Sequence, residues 1–246
     1  MSDDSFVGKW RARWPEWQVA EVFIPAPTRE RVLSWLALRQ ELLDAAWAGA
    51  DARPGEAKLG WWAEELQGWS QGRRRHPLGA TLQALPAPWV RLAAALPVLA
   101  AARERTVDLE QARGALGPFA AIVAEVDAAV AGSAQSAASA DAVNAIATYL
   151  LAQRTVQADE HAVPLSVRAR LGIDADSRQA ASAWAAELLQ AWPGAQGTRA
   201  GRVHAGLLRE RLRSLAAGRE SLQPSRWRTL LAAWRAARGR HSVPPR

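Results

Sequence analysis

The chain has 246 residues, 49% of them hydrophobic, which is enough to bury a full core in one or two domains. It has no cysteine, which excludes disulfides, thiolate nucleophiles and cysteine-ligated zinc sites. The start of the chain is acidic and polar, unlike a secretory signal peptide, and Glu125 and Asp127 interrupt the best apolar run before it reaches membrane-spanning length. These features predict a soluble, cytoplasmic protein.

Apolar residues recur with helical period between the glycines and prolines, and no segment alternates as a strand would. The first predicted helix has Thr28 as its N-cap and ends at residues 53–55, which are Arg-Pro-Gly. The second helix places four large apolar side chains on one face, spaced as in a buried stripe: Leu59, Trp62, Leu66 and Trp69.

Six further helices are predicted, over residues 88–105, 108–131, 141–157, 177–192, 199–217 and 225–238, with a shorter helical turn at 164–172. Pro97 is expected to kink the first of these or to divide it in two. Residues 132–139 are small and polar, and we interpret them as a connection between helices. The predicted fold class is therefore all-α, a single domain over residues 1–246 with seven to nine helices.

Positive charge is concentrated towards the C-terminal end of the chain. Residues 199–246 hold twelve arginines against Glu210 and Glu220, a net charge of +10 in a chain whose net charge is +7. A solvated helical face is the simplest interpretation, and an anionic partner, either a nucleic acid or an anionic membrane surface, is the alternative. Nucleic acid ranks last because no recognised nucleic-acid-binding module accompanies the charge.

The common catalytic signatures are missing from the sequence. There is no phosphate-binding glycine loop, no HExxH and no GxSxG, and the four histidines lie far apart. Residues 73–76, Arg-Arg-Arg-His, could clamp a phosphate, but three basic residues in a loop are more often simply solvated. Standard nucleotide and zinc chemistry is therefore set aside.

Two segments resemble the squalene/phytoene synthase family. KLGWWAEEL at 58–66, followed by HPLGATL at 76–82, is similar to that family's K-L-x-W-W-x-x-E and H-P-x-x-x-x-L. The preceding helix, ending in LRQELLD at 38–44, lies where the family carries its first aspartate-rich motif. Residues 144–172 look like a shortened version of its second motif region. The resemblance covers most of residues 20–175.

The resemblance implies an isoprenoid-synthase-like helical bundle with a central cavity. Active members join two prenyl diphosphates head to head, and Mg²⁺ held by inward-facing aspartates neutralises the departing diphosphate. No cofactor is expected here unless the chain is catalytic, in which case it is Mg²⁺. The resemblance assigns cavity or diphosphate-binding roles to Arg39, Arg154 and Asn144, and metal-ligand roles to Glu41, Asp44 and Asp159.

The sequence departs from the family at the aspartates that hold the metal. With Arg39 aligned to the family's arginine, the first-motif aspartates fall on Leu42, Leu43 and Ala46, and Thr155 stands where the second motif begins. This loss also resembles the superfamily branch that includes the mitochondrial complex I assembly factor. The sequence therefore favours a non-catalytic relative that binds an isoprenoid-like lipid or a protein partner. The alternatives are an active Mg²⁺-dependent prenyltransferase with a reduced acidic set, and an anionic-surface or nucleic-acid binder acting through the C-terminal arginines.

Overall fold

Helices make up the regular secondary structure of the part of the chain that the computed structural model describes, residues 3–133, 137–157, 160–172 and 176–239. The α-helices in these ranges are α1 Asp3–Arg13, α2 Trp17–Ala20, α3 Ala26–Trp47, α4 Arg53–Ser70, α5 Gly79–Leu82, α6 Trp89–Ala101, α7 Leu109–Ala131, α8 Ala140–Val156, α9 Leu165–Leu171, α10 Ser177–Gln190, α11 Arg199–Ala216 and α12 Arg226–Ala237. Short 3-10 turns occupy Glu21–Phe23 and Glu160–Ala162. The predicted all-α fold class is confirmed.

Helix starts follow local capping chemistry, with one correction to the prediction. The carboxylate of Asp108 accepts a hydrogen bond of 2.9 Å from the backbone N–H of Gln111 and caps α7. Thr28, predicted as the cap of α3, instead lies inside the helix, and its hydroxyl donates to the carbonyl of Pro25. The helix begins at Ala26, three residues earlier than a Thr28 cap would place it, because Pro27 is favoured in the first turn, where its missing N–H costs no hydrogen bond.

Pro97 does not divide α6, which continues through it from Trp89 to Ala101. Leu92, Leu96 and Leu99 are buried at helical spacing along one face. This burial holds the segment helical despite the hydrogen bond that proline removes.

The bundle is arranged around α3. Fifteen of its 22 residues are buried, so the helix is covered on nearly all sides, as only a core helix is. Helices α1, α4 and α7 pack directly against it. The remaining helices pack as a series of neighbours, α4 on α6, α6 on α7, α7 on α8, α8 on α11, and α11 on α10 and α12.

The N-terminal helix α1 was not predicted, although its signal is in the sequence. Val7 and Trp10 of α1, Trp14 just after it and Trp17 of α2 follow one another at spacings of three, four and three residues, and all four are buried. Charged residues lie between these tryptophans, so the composition of the segment does not indicate a buried helix. The consequence for function is large, because α1 covers the part of α3 where the metal ligands were expected.

Helix α7 corrects the prediction that no apolar run is long enough to cross a membrane. It is 23 residues long and contains an 18-residue window with a mean hydropathy of 1.5, which meets the length and composition of a membrane span, and no other described helix does so. In the fold it packs between α6 and α8, with Phe119, Val123 and Val126 fully buried. Core helices of helical bundles share this composition.

Candidate functional site

The first predicted metal ligand, Glu41, is held by two lysines from neighbouring helices. Its carboxylate accepts hydrogen bonds from Lys9 on α1 at 2.9 Å and from Lys58 on α4 at 2.7 Å. Burial by itself raises the pKa of Glu41, but the two lysines outweigh it and hold the pKa below its ordinary value. Both oxygens of this carboxylate therefore already have cationic partners.

The second predicted ligand, Asp44, is held in the same way. One oxygen pairs with Arg13 of α1 at 3.0 Å and the other accepts from the side-chain amide of Gln40 at 2.7 Å. Lys9 and Arg13 lie four residues apart on α1, so one face of that helix supplies a cation to each acid of α3. The sequence alone does not reveal these two ion pairs, because they form only when α1 packs on α3.

The third predicted ligand, Asp159, lies outside the described residues. Among the residues that are described, no group of three or more His, Asp or Glu side chains could hold a metal ion. Glu41 and Asp44 do not fit a Mg²⁺ site, because each one is already bound by cationic or amide donors.

Arg154, predicted to bind diphosphate, instead closes the end of α6. Its two terminal nitrogens donate to the backbone carbonyls of Ala102 and Arg103, each at 2.6 Å, and its guanidinium lies 5.3 Å from the ring centroid of Trp47. A guanidinium in this position satisfies carbonyls that a helix end leaves without partners. Asn144 is exposed on α8 and does not line the interior cavity.

Arg39, the remaining predicted residue, lies in the interior opposite an acid that the sequence analysis did not select. Arg39 is 8% exposed, and its terminal nitrogen is 3.9 Å from a carboxylate oxygen of Asp127 on α7. The indole N–H of Trp35 donates to the same carboxylate. Burial raises the pKa of Asp127, and the charge of Arg39 and the indole N–H oppose that rise. Asp127 could have been suspected as an acid inside an apolar helix.

Beside this pair lies a small cavity of about 20 Å³, which has room for about one water molecule. Gln153 and His204 also line it. The indole N–H of Trp17 donates to His204 Nδ1 at 3.3 Å, and His204 Nε2 has no hydrogen-bond partner. Trp14 and Trp17 are fully buried, and their rings lie beside His204 with centroid distances of 4.6 Å and 6.1 Å.

The neutral state of His204 predicts a pH dependence of stability. Burial, reinforced by the charges of Arg39 and Arg211, keeps the pKa of His204 well below its ordinary value of 6.5. Since the unfolded chain takes up this proton first, the free energy of unfolding falls as the pH decreases below about 6.5, by up to about 1.4 kcal/mol per unit.

We expect His204→Asn, which keeps an acceptor for Trp17, to flatten this dependence between pH 6.5 and 5. The measurement is urea denaturation at a series of pH values for both proteins. A slope unchanged by the substitution would contradict the assignment.

The Trp-rich helix that carries the family resemblance is a structural element. Leu59, Trp62, Leu66 and Trp69 are all buried, as predicted. The buried carboxylate of Glu65 accepts from the backbone N–H groups of Arg75 and His76, both at 2.8 Å, and from the indole of Trp69 at 2.9 Å. Glu65 therefore fixes the basic loop against the helix, and Arg75 also pairs with it at 3.2 Å.

Two of the larger depressions at the surface of the described residues are lined by residues of α7, α8, α11 and α12. A cleft of about 380 Å³ between α7 and α8 is lined mainly by small apolar residues, with Asp127 and Tyr149 at its inner end. A groove of about 450 Å³ lies between α11 and α12. Five arginines line this groove: Arg202, Arg209, Arg213, Arg228 and Arg235. Sequence reasoning found the arginines but not the groove that they form.

Comparison with known proteins supports the fold. The structure resembles squalene synthase HpnC from Alicyclobacillus acidocaldarius, with a TM-score of 0.52 and 19% sequence identity over 96% of this chain and 90% of that one. No protein-family model matches the sequence. No curated protein matches it with significance. The chain thus has a squalene/phytoene synthase-like fold, and a likeness at this identity establishes the fold alone.

Proposed function

We propose that this chain is a non-catalytic relative of the squalene/phytoene synthases that binds an isoprenoid-like lipid. The observation that carries the proposal is the engagement of the α3 acids by α1 and α4. Glu41 and Asp44 would have to release Lys9, Lys58 and Arg13 before either could bind Mg²⁺. A metal-assisted departure of diphosphate requires carboxylates that are free to coordinate.

The α7–α8 cleft supports a lipid as the ligand. An interior cavity of about 20 Å³ cannot admit a prenyl chain, whereas about 380 Å³ falls in the usual range of ligand pockets. Its walls carry five apolar side chains from the two helices: Ala124, Ala128, Ala142, Ala145 and Ile146. The apolar part of this lining suits a chain that offers no hydrogen bonds, and its polar side chains, such as Ser139 and Tyr149, suit a polar end group.

We expect purified protein with Mg²⁺ and farnesyl diphosphate to release no pyrophosphate above the background without protein. The physical reason is that neither α3 acid can share a metal while it is ion-paired. A pyrophosphate-release assay checks this, with an active squalene synthase as positive control. Release that is lost in Glu41→Gln and Asp44→Asn would instead establish the reduced-acid prenyltransferase.

Binding is tested separately with radiolabelled farnesol and two matched variants on α8. Ala142→Trp fills the cleft and should abolish binding, whereas Asn144→Trp places the same side chain at an exposed position and should leave it intact. Equal binding by both variants would remove the cleft as the site. If neither turnover nor lipid binding is found, the result would favour the alternative in which this non-catalytic protein binds a protein partner.

A further inference from the structure

The outer face of α12 exposes a stripe of large apolar side chains. Trp227 is 81% exposed, Leu231 43% and Trp234 41%. Their spacing of four and three residues places them within about 60° of arc on one side of the helix. The opposite side of α12 is anchored, because Thr229 and Ala233 are buried against the bundle. The stripe is therefore an outward-facing surface of a well-packed helix.

The neighbouring turn also exposes an apolar side chain. Helix α12 contacts the 3-10 turn Glu21–Phe23, where Val22 is 66% exposed. A soluble chain does not gain stability by presenting two tryptophans to water, and rimmed apolar patches of this kind mark interaction sites. We take this stripe of Trp227, Leu231 and Trp234 as the apolar patch of α12.

Positive charge rims the apolar patch. Helix α12 has no acidic residue, and Arg226, Arg228 and Arg235 are exposed beside the stripe. At its C-terminal end the guanidinium of Arg238 lies 4.3 Å from the ring centroid of Trp234. A partner that complements this surface needs negative charge opposite the arginines and an apolar region opposite the stripe.

The groove between α11 and α12 adds a pocket for an anion next to the patch. Leu231, Arg228 and Arg235 belong to both surfaces. Glu210, the groove's single acid, is already paired with Arg213 and Arg228. The buried Nε of Arg209 has no hydrogen-bond partner. A phosphate oxygen in this groove would give Arg209 that partner.

We propose that the apolar patch of α12, with its arginine rim and the adjoining groove, docks the protein on a bilayer that contains anionic phospholipid. Tryptophan and leucine enter the interface between head groups and acyl chains, and the arginines bind lipid phosphates. A lipid phosphate occupies the α11–α12 groove. This inference goes beyond the proposed function, because it concerns α12 and not the α7–α8 cleft.

Two other occupants suit the surface less well. A second copy of the chain, paired symmetrically through the patch, would bring one arginine rim against another. An RNA or DNA backbone would meet an apolar stripe at the centre of the surface where it needs cations. An anionic bilayer matches both the stripe and the rim.

The test is co-sedimentation of the full chain with vesicles of phosphatidylcholine alone or with 30% phosphatidylglycerol, at low and at physiological salt. We expect binding to the anionic vesicles only. The double variant Trp227→Ala/Trp234→Ala should lower the partition coefficient at least tenfold, because it removes the interfacial anchors. Arg226→Gln/Arg235→Gln should lower it too and should weaken its dependence on salt. Val90→Ala, an exposed apolar residue on α6, is the matched control and should bind like the unaltered chain.

Circular dichroism of each variant checks that the fold is intact. Equal binding to both vesicle types, or anionic binding unaffected by the tryptophan variant, would overturn the proposal. So would RNA binding that depends on the arginines and not on the tryptophans, in the absence of vesicle binding. A dimer in solution that the tryptophan variant abolishes, again without vesicle binding, would identify a second copy as the occupant and overturn it as well.

Discussion

Replacing Asp127 with alanine is expected to lower the free energy of unfolding by about 3–5 kcal/mol. Arg39 and Asp127 are both about nine-tenths buried, and Asp127 supplies the carboxylate opposite Arg39 in the small interior cavity. Without it the guanidinium stays charged inside the core, since arginine does not lose its proton there. The indole of Trp35 also loses its acceptor. Chemical denaturation of the two proteins measures the difference.

The double variant Arg39→Met/Asp127→Leu separates the cost of breaking the pair from the value of having it. A buried ion pair replaced by apolar side chains of similar size is often neutral or stabilising, so we expect most of the loss to be recovered. Asp51→Ala, which removes an exposed ion pair with Arg53, is the control and should change stability little. A double variant as unstable as Asp127→Ala would show that the pair itself stabilises the fold.

Replacing Trp14 with alanine is expected to cost about 3–5 kcal/mol for a second reason, the loss of packing. Trp14 is fully buried, and its indole N–H donates to Gln40 at 3.2 Å. Its ring centroid lies 4.6 Å from that of His204 and 3.9 Å from the guanidinium carbon of Arg211. Truncation leaves a void in the core beside Gln40, His204 and Arg211. Thermal and urea denaturation report the loss.

Trp227→Ala is the matched control, because the same truncation at an 81% exposed position removes little packing and should change stability by less than about 0.5 kcal/mol. If a void remains in Trp14→Ala, added indole should bind it and restore part of the stability by mass action. A variant that indole does not stabilise would indicate that the surrounding helices close over the space.

The segment that carries the family resemblance and the acids of α3 on which the proposed function depends meet at Lys58, which binds Glu41. The Trp-rich helix and the turn after it are held by Glu65 and by ring contacts such as Trp62 with His76 at 4.5 Å. These contacts give the segment a structural role, since they hold the helix and the following turn together. The chemistry would depend on α3, where Leu42 and Leu43 are buried apolar residues.

The sequence by itself determined the helical class and most helix positions, because apolar spacing, capping residues and prolines act locally. It also determined that aspartates are missing from the first motif, since residue identity needs no structure. The buried stripe from Leu59 to Trp69 was predicted for the same reason. These are properties that a helix has before it packs.

Only the tertiary structure decided what the remaining polar residues do. The sequence predicts Glu41 and Asp44 as metal ligands. In the structure α1, which lies 28 or more residues earlier in the chain, places Lys9 and Arg13 against them. The sequence predicts Arg154 as a diphosphate ligand. In the structure its two terminal nitrogens donate to backbone carbonyls at the end of α6. A charged side chain's partner is set by which helices cross, and that depends on long-range packing that local periodicity does not encode.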